Sequence, residues 1–417
     1  MRTHRPGLVL VLSLTLGAAW AGLSPATAVA SPVGVYAWGY NGDGEIGNHT
    51  SAIAESTPVA VKHLTGVKAV SAGGFHSLAL LANGTVMAWG LDNHGELGNG
   101  RMGKDSDIAV AVKNLSGVVA ISAGGFDSLA LLSGGTVMSW GEGAYGDLGT
   151  GTVDDSDLPS PVCAVGATPP CSAGGGNVLT GVMAISAGGS DNLALLHNGS
   201  VVAWGENTYG DLGTGSVHKK SSPIPVAVVN LSGVTAIAAG DHHNLALLGN
   251  GTVKAWGLNN HGQLGDGRDN GQSDVPVMVT GLREAVTSIS AGGNHSLAQL
   301  HDGTVMAWGS HQGGQLGNGL TRDSDVPVLV CGMNATAPCS PGDGNILTGV
   351  VAISAGAHHN LALLSNGQVT VWGSNEWGAL GTGNANDPNS DVPVVLTGLG
   401  GVTAISAGGF HSLVMTS

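Results

Sequence analysis

A Trp-Gly pair recurs seven times along 417 residues, and this recurrence constrains the fold more than any other feature of the chain. Its tryptophans are Trp38, Trp89, Trp140, Trp204, Trp256, Trp308 and Trp372, spaced by 51, 51, 64, 52, 52 and 64 residues. A Ser/Ala-Ala-Gly signal keeps the same step and ends at Gly73, Gly124, Gly188, Gly240, Gly292, Gly356 and Gly408. A period of about 50 residues marks a repeat architecture, in which each unit buries its apolar face only by stacking on its neighbours.

One unit shows four strand signals. Val67–Ala72 predicts strand A and Ser77–Leu81 strand B. Asn83-Gly84 predicts a two-residue hairpin turn with positive φ at both central positions. Thr85–Trp89 predicts strand C, then come a loop and a Gly-x-Leu-Gly segment, and strand D is expected near Ile108–Val112. Beyond the N-terminus no stretch has sustained helical periodicity. Four antiparallel strands repeated seven times predict an all-β, seven-bladed β-propeller. Trp38 has no strand A or B before it, and Gly408 has no strand C or D after it. The two ends therefore share a blade, which closes the ring and removes its edges.

Residues 1–30 read as a secretory signal peptide: Arg2 and Arg5, an apolar run Leu8–Leu16, and Ala28-Val29-Ala30 as a cleavage site. The mature chain then starts at Ser31, a propeller domain of residues 31–417 expected to be secreted as a soluble monomer with no membrane span. Without Arg2 and Arg5, 11 basic residues face 28 acidic ones. Such a balance argues against nucleic-acid binding, which needs a positive footprint, and suits a partner with a basic surface.

The four cysteines form two Cys-x7-Cys pairs, Cys163 with Cys171 and Cys331 with Cys339. They fall in insertions at about 163–177 and 331–345, which account for the two 64-residue spacings. Paired cysteines in an exported chain predict local disulfides, and neither the spacing nor nearby histidines suit zinc.

Most repeated polar residues read as structural. His76, His243, His295, His359 and His411, with Asp127 and Asp191 at the same position in the other two units, are expected to satisfy backbone groups; a metal-binding ring is the alternative if they line the axis. No nucleophile elbow, phosphate loop or His-Glu-x-x-His pattern is present, so no catalytic residue, metal or cofactor is expected and the chain is not read as an enzyme.

The positions that break the repeat carry more information. Phe75, Phe126 and Phe410 occupy one position in the A–B loops, where the other units have Ser190, His242, Asn294 and His358. Tyr40, Tyr145, Tyr209 and Trp377 lie in the C–D loops just after Trp-Gly. In an antiparallel blade both loop types emerge on one face. Within Gly-x-Leu-Gly, Gln263 and Gln315 are replaced by Glu45, Glu96, Asp147 and Asp211 in four consecutive units. An aromatic and acidic arc on one face predicts a protein-binding surface, because aromatic residues are enriched at binding hot spots.

Ser-Ala-Gly-Gly-Phe-His-Ser-Leu-Ala-Leu, then Val-Met-Ala-Trp-Gly, then Gly-Gln-Leu-Gly at 262–265 and 314–317, resembles the regulator of chromosome condensation repeat family across nearly the whole mature chain. The resemblance implies a seven-bladed propeller and says less of function, because the family includes exchange factors, ligase-associated modules, a light sensor and secreted inhibitors. The light sensor's Gly-Trp-Arg-His-Thr motif is absent. The secreted β-lactamase inhibitory propeller is similar in its leader, blade number and A–B aromatics, but its shorter repeats lack Gly-x-Leu-Gly. The nuclear exchange factor uses acidic residues on this face, whereas none of the seven positions before the His/Asp is acidic here.

The expectation is a protein-binding module of inhibitor, adhesin or receptor type, acting through the A–B and C–D loops. An extracellular polysaccharide-binding or -cleaving protein using the His242 and His358 side is one alternative. A guanine-nucleotide exchange factor is the other.

Overall fold

The computed structural model describes residues 34–417 apart from 173–175, 218, 270, 334, 336–338 and 340–344. The expected leader and the Ser31 start lie outside the described residues, as do parts of both cysteine insertions. The chain forms seven four-stranded antiparallel sheets. In blade 1 the strands are Val67–Ala72 (A), His76–Leu81 (B), Val86–Gly90 (C) and Ser106–Ala111 (D). Blades 2 to 6 follow in order around Trp140, Trp204, Trp256, Trp308 and Trp372. Blade 7 takes strands A and B from Val402–Ala407 and His411–Thr416, and strands C and D from Gly34–Tyr40 and Ala54–Ala60. Ala37 lies opposite Leu413 where the two ends pair. The fold is the expected all-β propeller with a shared closing blade.

The apolar core lies between blades. Leu78, Leu80, Val86 and Ala88 of blade 1 pack with Leu97 and with Ala130 and Trp140 of blade 2, all fully buried. Each of the seven repeat tryptophans sits in such a cluster. Leu97 comes from Gly-x-Leu-Gly, so that segment is threaded between blades rather than lying on the surface. Its carbonyl at Glu96 accepts the Trp140 indole N–H at 2.8 Å and the Ser128 hydroxyl at 3.2 Å. Glu45, Asp147, Asp211, Gln263 and Gln315 supply the carbonyl for the next blade's tryptophan in the same way.

Near the axis a ring of backbone bonds joins the A–B loops: Gly74 N–H to Gly124 O at 2.9 Å, Gly125 to Gly188 at 2.9 Å, and onward to Gly409 N–H on Gly73 O at 2.9 Å. A Cβ on Gly74 would fall 2.5 Å from Gly125 O, which explains the second glycine of the motif. The glycine of Trp-Gly has a different cause. Gly90 has φ +103°, and a Cβ there would lie 2.6 Å from Phe75 O.

One turn differs from expectation. At Asn83-Gly84 only the glycine is left-handed, with φ +79°. Asn83 instead accepts the Thr85 N–H at 3.0 Å and the Thr85 hydroxyl at 2.7 Å through Oδ1. Its side chain closes the turn, as Asx residues do, so its own φ need not be positive.

Both disulfides form as expected, with Cα–Cα distances of 5.4 Å. Each insertion begins against its own blade: Cys163 N–H reaches Gly149 O at 2.9 Å, and Cys331 N–H reaches Gly317 O at 2.8 Å. Opening one short loop as Cys163→Ser/Cys171→Ser should cost about 2–3 kcal/mol in the chain-entropy picture, read as a lower urea midpoint with unchanged far-ultraviolet circular dichroism. Among the described residues no helix is long and apolar enough to cross a membrane.

Candidate functional site

The A–B loops place the aromatic residues by fixing their backbones. Phe75 O accepts the Leu91 N–H at 2.9 Å, Phe126 O the Glu142 N–H at 2.9 Å, and Phe410 O the Tyr40 N–H at 2.9 Å. The three phenyl rings therefore stand half-buried at the rim of the axis on adjacent blades. Phe75 stacks on Phe126 with centroids 5.4 Å apart and lies 6.2 Å from Phe410. Tyr40 meets Phe75 edge-on at 6.4 Å and Trp377 at 5.3 Å. Five of the seven aromatic candidates thus form one continuous patch over blades 6, 7, 1 and 2. His358 extends it at one end, 5.6 Å from Phe410, and His94 at the other, 6.1 Å from Phe126.

The remaining two aromatics stand apart. Tyr209 pairs with His242 at 5.2 Å on the far side of the axis. Tyr145 is 46% exposed and makes no ring contact among the described residues.

Trp377 owes its place to a missing cap. In six blades the side chain within Gly-x-Leu-Gly accepts the N–H two residues earlier: Asp43 to Glu45 at 3.0 Å, His94 to Glu96 at 2.8 Å, Tyr145 to Asp147 at 3.1 Å, Tyr209 to Asp211 at 3.0 Å, His261 to Gln263 at 2.9 Å, and Gly313 to Gln315 at 2.6 Å. In blade 6 the equivalent residue is Ala379, which cannot accept. The loop there forms a short 3₁₀ turn, Glu376–Gly378, and Trp377 takes φ +59° with 41% exposure. A left-handed tryptophan costs roughly 1–2 kcal/mol, and its gain here is the contact with Tyr40.

The same caps overturn the acidic arc. Glu45, Glu96, Asp147 and Asp211 are buried, at most 2% exposed, and present no acidic surface to a partner. Burial pushes Glu45, Glu96 and Asp147 up to about 7 and Asp211 up to about 6, while the backbone N–H bonds pull the other way. An acid or an amide serves here because either offers an oxygen to the N–H.

The repeated His/Asp position is also structural. His76 Nε2 lies 2.8 Å from Ser128 Oγ of the next blade. His243 meets Ser296, His359 meets Ser412 and His411 meets Ser77, each at 2.8 Å, and His295 meets Asn360 Oδ1 at 2.7 Å. Asp127 and Asp191 complete the ring through Asn192 and Asn244, each at 2.8 Å. Ser128 gives its proton to Glu96 O, so His76 donates from Nε2, and burial keeps its ring neutral. Burial lowers His76 and His295 to about 4, and His243, His359 and His411 to about 3. Where Asp replaces His, the neighbour is Asn, whose amide can donate to a carboxylate. No group of three or more metal-ligating side chains occurs among the described residues.

His94 was not among the residues singled out from sequence. Its Nδ1 lies 2.8 Å from Asp155 Oδ2, and that bond raises its pKa. Its sequence signal is weak, because His261 pairs with Asp323 in the same way on a blade without phenylalanine.

The axis mouth is a cavity of about 280 Å³ lined by Phe75, Phe126, Phe410, Ser190, His242, His358, Asp241 and the loop glycines. Below it the channel narrows to about 90 Å³ between rings of alanine and glycine. The arrangement offers a concave aromatic rim over a narrow channel of alanine and glycine.

A closed ring of four-stranded blades whose tryptophans bond the preceding loop, carrying an aromatic patch on its loop face, defines a repeat propeller. The chain belongs to the RCC1-like repeat family: the RCC1-like domain matches residues 167–417, and the Regulator of chromosome condensation (RCC1) repeat matches 34–80, 67–96 and 118–147. It is 30% identical over 351 residues to the ultraviolet-B receptor UVR8 of Arabidopsis thaliana, covering 83% of this chain and 74% of the relative. It is 32% identical over 305 residues to the human E3 ubiquitin-protein ligase HERC2, covering 72% of this chain but only 6% of that protein. In fold it matches Prp20p of Saccharomyces cerevisiae, whose structure was described with its binding to Gsp1p and histones, with a TM-score of 0.75 at 23% identity over 93% of this chain and 92% of that one.

Proposed function

We propose that this chain is an exported protein-binding propeller whose contact surface is the patch formed by Trp377, Tyr40, Phe75, Phe126 and Phe410. The observation that carries this reading is the continuity of the patch. Five large side chains from four blades are linked in one chain of ring contacts, each ring centroid within 6.4 Å of the next, and are partly open to solvent. Scattered exposed aromatics are ordinary, but a connected cluster at a concave rim is the composition of an interface core. Relatives of the same fold bind proteins, which agrees with this reading. The leader-like residues 1–30 and the paired cysteines support export to an oxidising compartment, where disulfides persist.

The test is capture from culture fluid and cell envelope with the mature chain and with Phe75→Ala/Phe126→Ala/Phe410→Ala. Both are first shown to be folded by circular dichroism. The triple variant should lose the captured protein at least about tenfold, as hot-spot truncation does. Equal capture by both would move the site off this face. Nucleotide exchange is the rival reading, and release of a fluorescent nucleotide from a small GTPase should not accelerate.

A further inference from the structure

We propose that the axial mouth receives an arginine side chain of the partner protein, with Asp241 as its counter-charge and Phe75, Phe126 and Phe410 as its apolar wall. This rests on the protein-binding reading above and adds the chemistry that is recognised.

Asp241 breaks the pattern of the axis. The equivalent residues in the other blades are Gly74, Gly125, Gly189, Gly293, Ala357 and Gly409, none with a side chain larger than methyl. Gly74, Gly125, Gly293, Ala357 and Gly409 line the narrow channel, and Asp241 is the acid among them. Its Oδ2 leans over the next blade, 3.0 Å from where a Cβ on Gly293 would stand. Among the described residues the carboxylate has no hydrogen-bond donor. Burial raises its pKa, opposed by the fields of His242 and His358. Asp241 is half-buried and lines the mouth, so its carboxylate is free to take a donor from a ligand that enters there.

The aromatic wall is opposite. Around the seven-fold ring, blade 4, which carries Asp241, stands three blades from blade 1, which carries Phe75. A guest must therefore be apolar-tolerant on one flank and cationic at its tip. About 280 Å³ holds one long side chain, and the narrow channel below stops it at the level of Asp241. Guanidinium fits better than ammonium: it is planar, weakly hydrated, stacks on aromatic faces and forks onto a carboxylate.

The chain contains three phenylalanines, and all three stand at this mouth. A spectrum of the mature protein labelled with ring-¹³C phenylalanine therefore reports on the site alone. N-acetyl-arginine methylamide should shift all three signals saturably, and the neutral isostere N-acetyl-citrulline methylamide should not. Asp241→Asn should weaken the arginine probe at least about tenfold while leaving the free spectrum native-like, because a charge-assisted bond is lost. Equal response to arginine and citrulline, equal affinity for the lysine analogue, or indifference to Asp241→Asn would each overturn the inference. If the triple phenylalanine variant loses its partner while arginine leaves the spectrum unmoved, the face is right and the guest is wrong. If arginine binds through Asp241 while the triple variant keeps its partner, the pocket stands and the face reading falls.

Discussion

Trp140→Ala is expected to destabilise the propeller by about 3–5 kcal/mol, the range for deleting a large buried aromatic side chain. Trp140 is fully buried in the cluster between blades 1 and 2, and its indole N–H holds Glu96 O at 2.8 Å. The loss is therefore of volume and of the bond that pins Gly-x-Leu-Gly in the interblade groove. Trp140→Phe separates the two. It keeps most of the apolar area and removes the donor, so it should cost about 1–3 kcal/mol. Urea titration of the three proteins, with both disulfides intact, gives the comparison. A Phe variant as unstable as the Ala variant would show that the bond, rather than the packing, dominates.

Acid sensitivity should come from the His ring. An imidazole held neutral in the fold protonates freely in the unfolded chain, so the unfolded state binds more protons and stability falls as pH falls. For His76 this runs from the ordinary value of 6.5 down to its folded value of about 4. Within that window the His76 contribution should fall by roughly 1.4 kcal/mol per pH unit, reaching about 3 kcal/mol near pH 4. The buried carboxylates act with the opposite sign. Glu45 and Glu96, raised from 4.5 to about 7, contribute stability that is full below pH 4.5 and lost as pH rises through 7. Below pH 4.5 their gain is exhausted while the imidazoles continue to charge, so acid unfolding should steepen there. His76→Gln keeps a donor for Ser128 and removes the titration. Its stability deficit at pH 7 should shrink, and then reverse, as pH is lowered to 4. A constant deficit from pH 7 to pH 4 in matched urea titrations would show that His76 is not held neutral.

The residues differ in how much of this could be read from them. The period, the strand boundaries to within a residue or two, the shared closing blade and the two disulfides follow from chain order alone. They depend on local propensity and on the arithmetic of a repeat, both written along one dimension. Gly74 and Gly90, whose Cβ would strike a neighbouring carbonyl, were visible as repeats, although their reason was not. The Asn83 turn was misread because its side chain, rather than its backbone φ, closes it.

Only tertiary structure separated the acidic residues from the aromatic ones. Glu45 and Tyr40 lie five positions apart in one loop, yet Glu45 is fully buried under the next blade and Tyr40 stands in the exposed patch. Whether a residue of that loop meets water or the neighbouring blade depends on how the loop threads the interblade groove, and composition does not carry that. The same holds for Ala379, whose lack of an oxygen releases Trp377, and for Asp241, one acid among the small residues of the A–B loops until the ring closes and places it on the axis. Repetition along the sequence determined that the chain closes into a ring. The contacts between blades, such as Ser128 with Glu96 and His76 with Ser128, join residues 32 and 52 positions apart, and they decided which side chains of that ring stay open to solvent.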